Sequence, residues 1–138
     1  MKVVYLKQNW SGYFTYPIYD EKGEFVNQEH RIPFDMTISI DDDLFIGTAI
    51  DQESKHLFDK PAEVKGFIEK NLISFTKQYP CLYFLNDQGE LAIDPDKPHP
   101  EIRYTGFLND DKNEIMGKWE IGTVPGEGDW GEFELKKV

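Results

Sequence analysis

The clearest hydrophobic pattern in the chain lies in three segments near its C-terminal end, residues 101–108, 114–121 and 130–135. Apolar residues and glycines occupy every second position of these segments: Ile102, Tyr104, Gly106 and Leu108, then Ile115, Gly117, Trp119 and Ile121, then Gly131, Phe133 and Leu135. The positions between them carry mostly polar or charged residues, such as Arg103 and Glu132. A period of two is typical of a β-strand with one buried face and one wet face. The pattern therefore predicts an antiparallel meander.

The same alternation occurs earlier in the chain. Residues 10–19 predict the first long strand, with Trp10, Gly12, Phe14, Tyr16 and Ile18 on its apolar face. Residues 34–40 alternate most cleanly of all, whereas the polar stretch up to residue 31 predicts a loop or a frayed ladder. A tight turn at residues 41–43 leads into residues 44–50, where both parities are apolar. The strand over residues 44–50 is therefore expected to be buried or covered on both faces.

Residues 61–80 admit two interpretations. Val64, Phe67, Ile68 and Leu72 match helical spacing, but residues 64–69 and 72–79 also suit a hairpin that turns at residues 70–71. Gly66 would cost a helix about 1 kcal/mol relative to alanine, and the second half is rich in β-branched and aromatic residues. The hairpin is therefore favoured. A shorter hairpin is predicted over residues 81–93, followed by a stiff, proline-rich loop over residues 94–100.

Glycines recur on the apolar parity of several predicted strands, namely at Gly12, Gly66, Gly106, Gly117 and Gly131. Glycine permits the strong coiling that barrel strands need. An alternative is that inward glycines empty one layer of a barrel, whose interior would then hold a small ligand. The pattern leaves both interpretations open.

Length and charge narrow the function classes. The chain of 138 residues suits one domain over residues 1–138, and 14% aromatic residues fit a β-rich fold. A net charge of -11 argues against nucleic acid or an anionic membrane as partner. Cys81 has no second cysteine to pair with, and a buried structural thiol is expected. The apolar start at residues 1–7 is too short for a signal peptide, so a cytoplasmic location is expected.

No motif in the chain predicts a cofactor, a metal site or a catalytic group. Residues 126–131 match GxGxxG, but the strand before it, the helix after it and the βαβ unit that a dinucleotide site needs are missing. Residues 109–113 resemble an EF-hand loop without its central glycine, so a hairpin loop is predicted. The aspartates at positions 41–43 and 51 suit a solvated turn better than a cation site. The three histidines, His30, His56 and His99, have no metal-ligand spacing.

The meander together with the early Trp10 resembles the calycin superfamily, which comprises lipocalins, fatty-acid-binding proteins and avidins. Lipocalins place a glycine two residues before the first-strand tryptophan, whereas Gly12 follows Trp10 here. The late arginine that packs over that tryptophan in the family has no clear match here, although Lys136 could occupy a similar place. The resemblance implies an all-β fold, a single antiparallel up-and-down β-barrel of eight to ten strands. It also implies binding of a small, largely apolar molecule in the barrel mouth.

Two functions are therefore expected from the sequence. The first is non-catalytic binding of a small apolar or aromatic ligand inside the barrel. Its predicted binding residues are Trp10, Phe14, Tyr16, Tyr104, Gly106, Gly117 and Trp119. The alternative is a filled barrel that acts as a protein-interaction module or homodimer through outward aromatics such as Tyr13, Phe45, Phe67 and Phe107. The sequence does not decide whether the protein is an enzyme, but it favours a non-catalytic function.

Overall fold

The computed structural model describes residues 6–122 and 130–138, without the side chains of residues 17–19, 25 and 27–29. Ten β-strands form in this part of the chain. They are β1 (Leu6–Tyr19), β2 (Phe25–Asp41), β3 (Leu44–Asp51), β4 (Ala62–Glu69), β5 (Leu72–Gln78), β6 (Leu82–Leu85), β7 (Leu91–Asp94), β8 (Ile102–Leu108), β9 (Glu114–Ile121) and β10 (Trp130–Lys137). Within these residues, no helix has the length and apolar character to cross a membrane.

Eight of the strands close into one antiparallel barrel in the order β1-β10-β9-β8-β5-β4-β3-β2. Closure occurs where β1 pairs with β10, with Gly12 opposite Leu135. Strands β6 and β7 form a separate two-stranded hairpin between β5 and β8 in the chain. The predicted up-and-down barrel is confirmed, and the hairpin accounts for the two strands beyond eight.

The alternation of the sequence corresponds to the inside and outside of the barrel. Along β8, Ile102, Tyr104, Gly106 and Leu108 are buried while the residues between them are exposed. The interior is densely aromatic: the rings of Phe75 and Tyr104 stack at 4.7 Å between centroids, and Phe133 meets Tyr104 edge-on at 5.0 Å. Offset and edge-to-face pairs of this kind add to the free energy of apolar burial.

The inward glycines of β8 and β9 allow these strands to approach each other closely. Gly106 and Gly117 lie directly opposite one another. A Cβ on Gly117 would collide with the backbone of Thr105 and with Gly106 Cα, and one on Gly106 would lie 2.7 Å from Met116 O and 3.0 Å from the Phe133 ring. The space beside these glycines is therefore filled by backbone and by neighbouring rings. Close packing of coiled strands is the interpretation that the geometry supports.

One prediction about the early strands is wrong, and another is resolved between its two alternatives. Of the loop and the frayed ladder predicted before residue 31, the structure has the ladder: this stretch belongs to β2 and pairs with β1 through Tyr16 and His30, with register irregularities beyond that pair. Strand β3 is not buried on both faces: Leu44 and Ile46 are exposed, whereas Phe45 is 2% exposed and points inward. Phe45 therefore cannot serve as an outer-surface contact.

Three further local predictions are confirmed, whereas the expectation of a solvated turn fails for Asp51, which is 2% exposed. Residues 61–80 form the hairpin of β4 and β5, with Lys70 at φ 57° in its turn. Residues 109–113 form a hairpin loop, in which Asn109 Oδ1 accepts hydrogen bonds from the backbone N–H groups of Asn113 and Glu114. Cys81 is a buried free thiol. Residues 126–129, which belong to the GxGxxG match, lie outside the described residues.

Candidate functional site

A cavity of about 760 Å³ opens at one end of the barrel. The connections between β1 and β2, between β3 and β4, and between β5 and β8 all lie at this end, because successive strands run up and down. The barrel supplies Phe14, Tyr16, Tyr104 and Trp119 to the cavity wall, and the β6–β7 hairpin supplies Leu82, Tyr83, Phe84, Leu85 and Leu91. The polar side chains of the wall are those of Glu53, Lys77 and the two histidines His30 and His99. The cavity is therefore mainly apolar and aromatic, with a few polar groups.

Four of the seven sequence-predicted binding residues meet at this cavity, namely Phe14, Tyr16, Tyr104 and Trp119. Trp10 does not, because it lies further toward the other end of β1, packed in the core opposite Met36, with its indole N–H donated to Gln8 Oε1. Gly106 and Gly117 do not line it either, since the space beside them is taken by backbone and by Phe133. The structure therefore does not bring these three residues to the cavity.

One wall of the cavity is a cluster of interlocking rings. Trp119 meets Phe14 at 6.3 Å and Tyr16 at 5.7 Å between centroids, both edge-on. The indole N–H of Trp119 donates to the carbonyl oxygen of Thr15 at 2.9 Å. This hydrogen bond orients the indole, so the wall is preformed for stacking against a flat apolar molecule.

The opposite wall joins the hairpin to the barrel through aromatic contacts. Tyr83 of β6 stacks on the His99 ring at 5.1 Å and meets Tyr79 edge-on at 4.8 Å. His99 Nδ1 lies 2.8 Å from the carbonyl oxygen of Pro100. Burial, with a smaller contribution from the charge of Lys77, lowers the pKa of His99 below its usual value of 6.5, although the Pro100 carbonyl opposes this. The neutral imidazole is thus favoured at neutral pH.

A buried carboxylate supports this wall from behind. Asp51, 2% exposed, accepts hydrogen bonds from Ser54 N and Ser54 Oγ through one oxygen and from Tyr79 Oη, at 2.5 Å, through the other. Each carboxylate oxygen of Asp51 therefore has a protein donor. Burial is the main cause that raises the pKa of Tyr79 above its usual value, so Tyr79 remains a protonated donor.

Toward the outside, Tyr16 Oη donates to Glu53 Oε1 at 3.0 Å and lies 3.4 Å from Tyr83 Oη. Burial and the neighbouring Tyr83 and Glu53 raise the pKa of Tyr16, and burial foremost raises the pKa of Tyr83 to about 12. Both hydroxyls therefore keep their protons at physiological pH. They link β1, the β3–β4 loop and the hairpin across the cavity.

Lys77 is the most unusual residue of the site. Its side chain is 1% exposed, and its Nζ lies over the ring of Phe14 at 4.4 Å. The rings of Tyr79, Tyr104 and Phe34 surround it at 5.0, 5.1 and 5.2 Å. Desolvation lowers the pKa of Lys77 to about 8, while Asp51 and Glu53 act in the opposite direction. The ammonium form thus persists at neutral pH inside an aromatic cage.

No family model matches the chain, and no curated protein matches it in sequence. Solved structures do match its fold. A crystal structure of a rhizavidin–biotin complex aligns with a TM-score of 0.55 at 16% identity, covering 96% of this chain and 100% of that chain. A crystal structure of rhizavidin aligns with a TM-score of 0.57 at 15% identity, covering 99% of this chain and 84% of the other. The fold is a calycin-like barrel. At this level of identity, the likeness concerns the fold alone.

Several residues of this calycin-like barrel were missed by sequence reasoning. Lys77 carried a usable signal, because it shares the inward parity of Ile73 and Phe75 on β5, where a charged residue is unexpected. Asp51 and His99 carried none, since their burial depends on contacts between distant segments. Across residues 6–122 and 130–138, no group of three or more His, Cys, Asp or Glu side chains has the arrangement of a metal site.

Proposed function

We propose that the calycin-like barrel binds one small, largely apolar or aromatic molecule in its open end and does not alter it chemically. The observation that carries this proposal is the aromatic cavity of about 760 Å³. Small-molecule sites are commonly clefts of roughly 300–1,000 Å³ lined by apolar and aromatic groups with a few polar ones. The mouth of a small β-barrel is also a frequent position for such a site.

The wall geometry supports the same proposal. Phe14, Tyr16 and Trp119 are held edge-on to one another and leave ring surfaces for stacking. Rhizavidin, which shares the fold, has been crystallised with biotin, and this gives precedent for a small ligand in such a barrel. Since likeness at this identity shows the fold alone, the proposal does not include biotin as the ligand.

A matched pair of variants on β9 tests whether the cavity is the binding site. Ile121 lines the cavity, whereas Met116 is exposed on the outer face of the same strand. Native mass spectrometry of the purified protein would identify a retained molecule, and calorimetry with a panel of small aromatic compounds would detect one that is lost. Ile121→Trp should abolish binding and Met116→Trp should preserve it. Absence of any bound compound, or equal binding by both variants, would refute the proposal.

A second candidate function is self-association, and an apolar strip on the outer face favours it. Leu44 and Phe67 are opposite one another on β3 and β4, and Phe107 is opposite both Leu72 and Met116 on the neighbouring strands. Leu44, Phe67, Phe107 and Met116 are all at least 40% exposed. An exposed apolar patch of this kind is typical of an interaction surface.

The partner that we propose for this strip is a second copy of the chain. A symmetric pair would bury the strip on both copies at once. Sedimentation equilibrium should then show a dimer for the native chain and a monomer for Phe107→Glu, while Thr105→Glu, an exposed change on the same strand, should remain dimeric. A native chain that is monomeric at high concentration excludes this candidate.

A further inference from the structure

The floor of the cavity holds two buried hydrogen-bond donors. Lys77 and Tyr104 are each 1% exposed, and both side chains line the cavity. Within the described part of the chain, neither Lys77 Nζ nor Tyr104 Oη has a hydrogen-bond acceptor or an ion-pair partner. Buried polar groups nearly always have a partner, so two such donors in one place call for an explanation.

The two carboxylates near Lys77, by contrast, already accept hydrogen bonds from other groups. Both oxygens of Asp51 are occupied by Ser54 and Tyr79, and Glu53 accepts a hydrogen bond from Tyr16. The cavity floor therefore offers hydrogen-bond donors, and a ligand that satisfies them must carry acceptor atoms. A ligand that brings only further donors would leave both Lys77 and Tyr104 unsatisfied.

The positive charge of Lys77 narrows the kind of acceptor group that would satisfy the site. An ammonium removed from water carries a large desolvation cost, which aromatic rings offset only in part. Tyr104 keeps its proton, because burial foremost, with Asp51 and Tyr83, raises its pKa well above the usual value. An anionic group with two acceptor oxygens would satisfy a cation and a hydroxyl together, and such charge-assisted hydrogen bonds are the strong ones.

We propose that the ligand is an aromatic or apolar carboxylic acid that enters acid end first, with its carboxylate paired to Lys77 Nζ and hydrogen-bonded to Tyr104 Oη at the cavity floor. Its apolar body then lies between the Trp119 wall and the β6–β7 hairpin. This inference rests on the proposed function, since it assigns a ligand class to the same cavity.

The test compares two probes of almost equal shape, naphthalene-2-acetate and naphthalene-2-acetamide, by isothermal titration calorimetry. Because charge-assisted hydrogen bonds are stronger than neutral ones, the acid should bind the native protein at least about tenfold more tightly than the amide. Lys77→Met should remove this preference and leave the affinity for the amide unchanged. Tyr104→Phe should reduce the preference severalfold, and Lys65→Met, a change at an exposed lysine on β4, should not alter it.

A pH series on the native protein provides a test that does not depend on folding of a variant. The titratable groups around Lys77 are Asp51, Glu53, Tyr79, Tyr104 and His99. Lys77, whose pKa is lowered to about 8 by burial, loses its charge between pH 7 and 9.5, so affinity for the acid should fall by about tenfold or more while that for the amide stays constant.

The outcomes separate this inference from the proposed function. Equal affinity for acid and amide, a preference retained in Lys77→Met, or acid binding that is independent of pH overturns the carboxylate assignment and leaves ligand binding intact. If neither probe binds and no other aromatic compound of the panel binds either, the proposed function fails and the carboxylate assignment fails with it.

Discussion

Lys77 should make the stability of the ligand-free protein depend on pH in an unusual direction. Its pKa falls from 10.5 in the unfolded chain to about 8 in the barrel, because burial disfavours the ammonium form. Between these two values, the unfolded chain binds more protons than the folded one. The free energy of unfolding must therefore rise as the pH rises through this interval, and below pH 8 the full penalty remains.

The size of the effect follows from the same two values. A shift from 10.5 to about 8 corresponds to a penalty of about 3 kcal/mol at neutral pH. Most of this penalty disappears below the pH at which exposed tyrosines ionise appreciably. The free energy of unfolding is therefore expected to rise by about 2 kcal/mol between pH 7 and 9.5. For a domain of 138 residues, this is a large share of a typical total stability.

Urea denaturation followed by tryptophan fluorescence at several pH values measures this rise. Lys77→Met removes the titrating group and keeps an unbranched apolar stem, so its stability should not rise over the same interval. Lys65→Met, at an exposed position of the neighbouring strand, should retain the native profile. A native protein with a flat profile, or a Lys77→Met variant with the same rise, would show that Lys77 is not desolvated as described.

Three further predictions concern the barrel and the cavity wall. Gly117→Ala should lower the free energy of unfolding by about 1–3 kcal/mol or more in urea denaturation, because its Cβ would collide with the Thr105 backbone; an unchanged value would favour an open glycine layer instead. Tyr79→Phe leaves one Asp51 oxygen without its donor and should lower the free energy of unfolding by about 1–3 kcal/mol in the same assay. An unchanged free energy would show that this hydrogen bond does not stabilise the wall. Phe84 is a partly exposed hairpin residue that lines the cavity. Phe84→Ala should weaken binding of naphthalene-2-acetate in calorimetry and change the free energy of unfolding by no more than about 0.5 kcal/mol. Unchanged affinity would show that the hairpin is not part of the binding surface.

The strands could be predicted because every second residue of a barrel strand faces the interior and is therefore mostly apolar or glycine. Ile102 to Leu108 and Ile115 to Ile121 show this directly, and their parity also identifies Tyr104 and Trp119 as inward. The polar first half of β2 could not be predicted this way, since its strand is set by backbone pairing with β1. Parity is a local property, whereas pairing depends on a distant segment.

The site was predictable only in part for the same reason. Parity predicts that Phe14 and Tyr16 point inward but does not indicate which end of the barrel is open, so it selects Trp10 as well, which does not line the cavity. The glycines were ambiguous because the same missing side chain permits either a void or a close approach of backbones. Long-range contacts such as Tyr79 with Asp51 decide where the cavity lies, and no local pattern encodes them.

The separate ladder of β6 and β7 has a consequence for how this protein can change over evolution. The hairpin contributes Leu82, Tyr83 and Leu91 to the cavity, yet its two strands pair only with each other in the described residues, while β5 pairs directly with β8. Substitutions and length changes within residues 82–94 therefore leave the closing hydrogen bonds of the barrel intact. On the proposed function, part of the ligand contact therefore lies in a segment whose hydrogen bonds are separate from those that close the barrel, so substitutions there can alter this contact while barrel closure is kept.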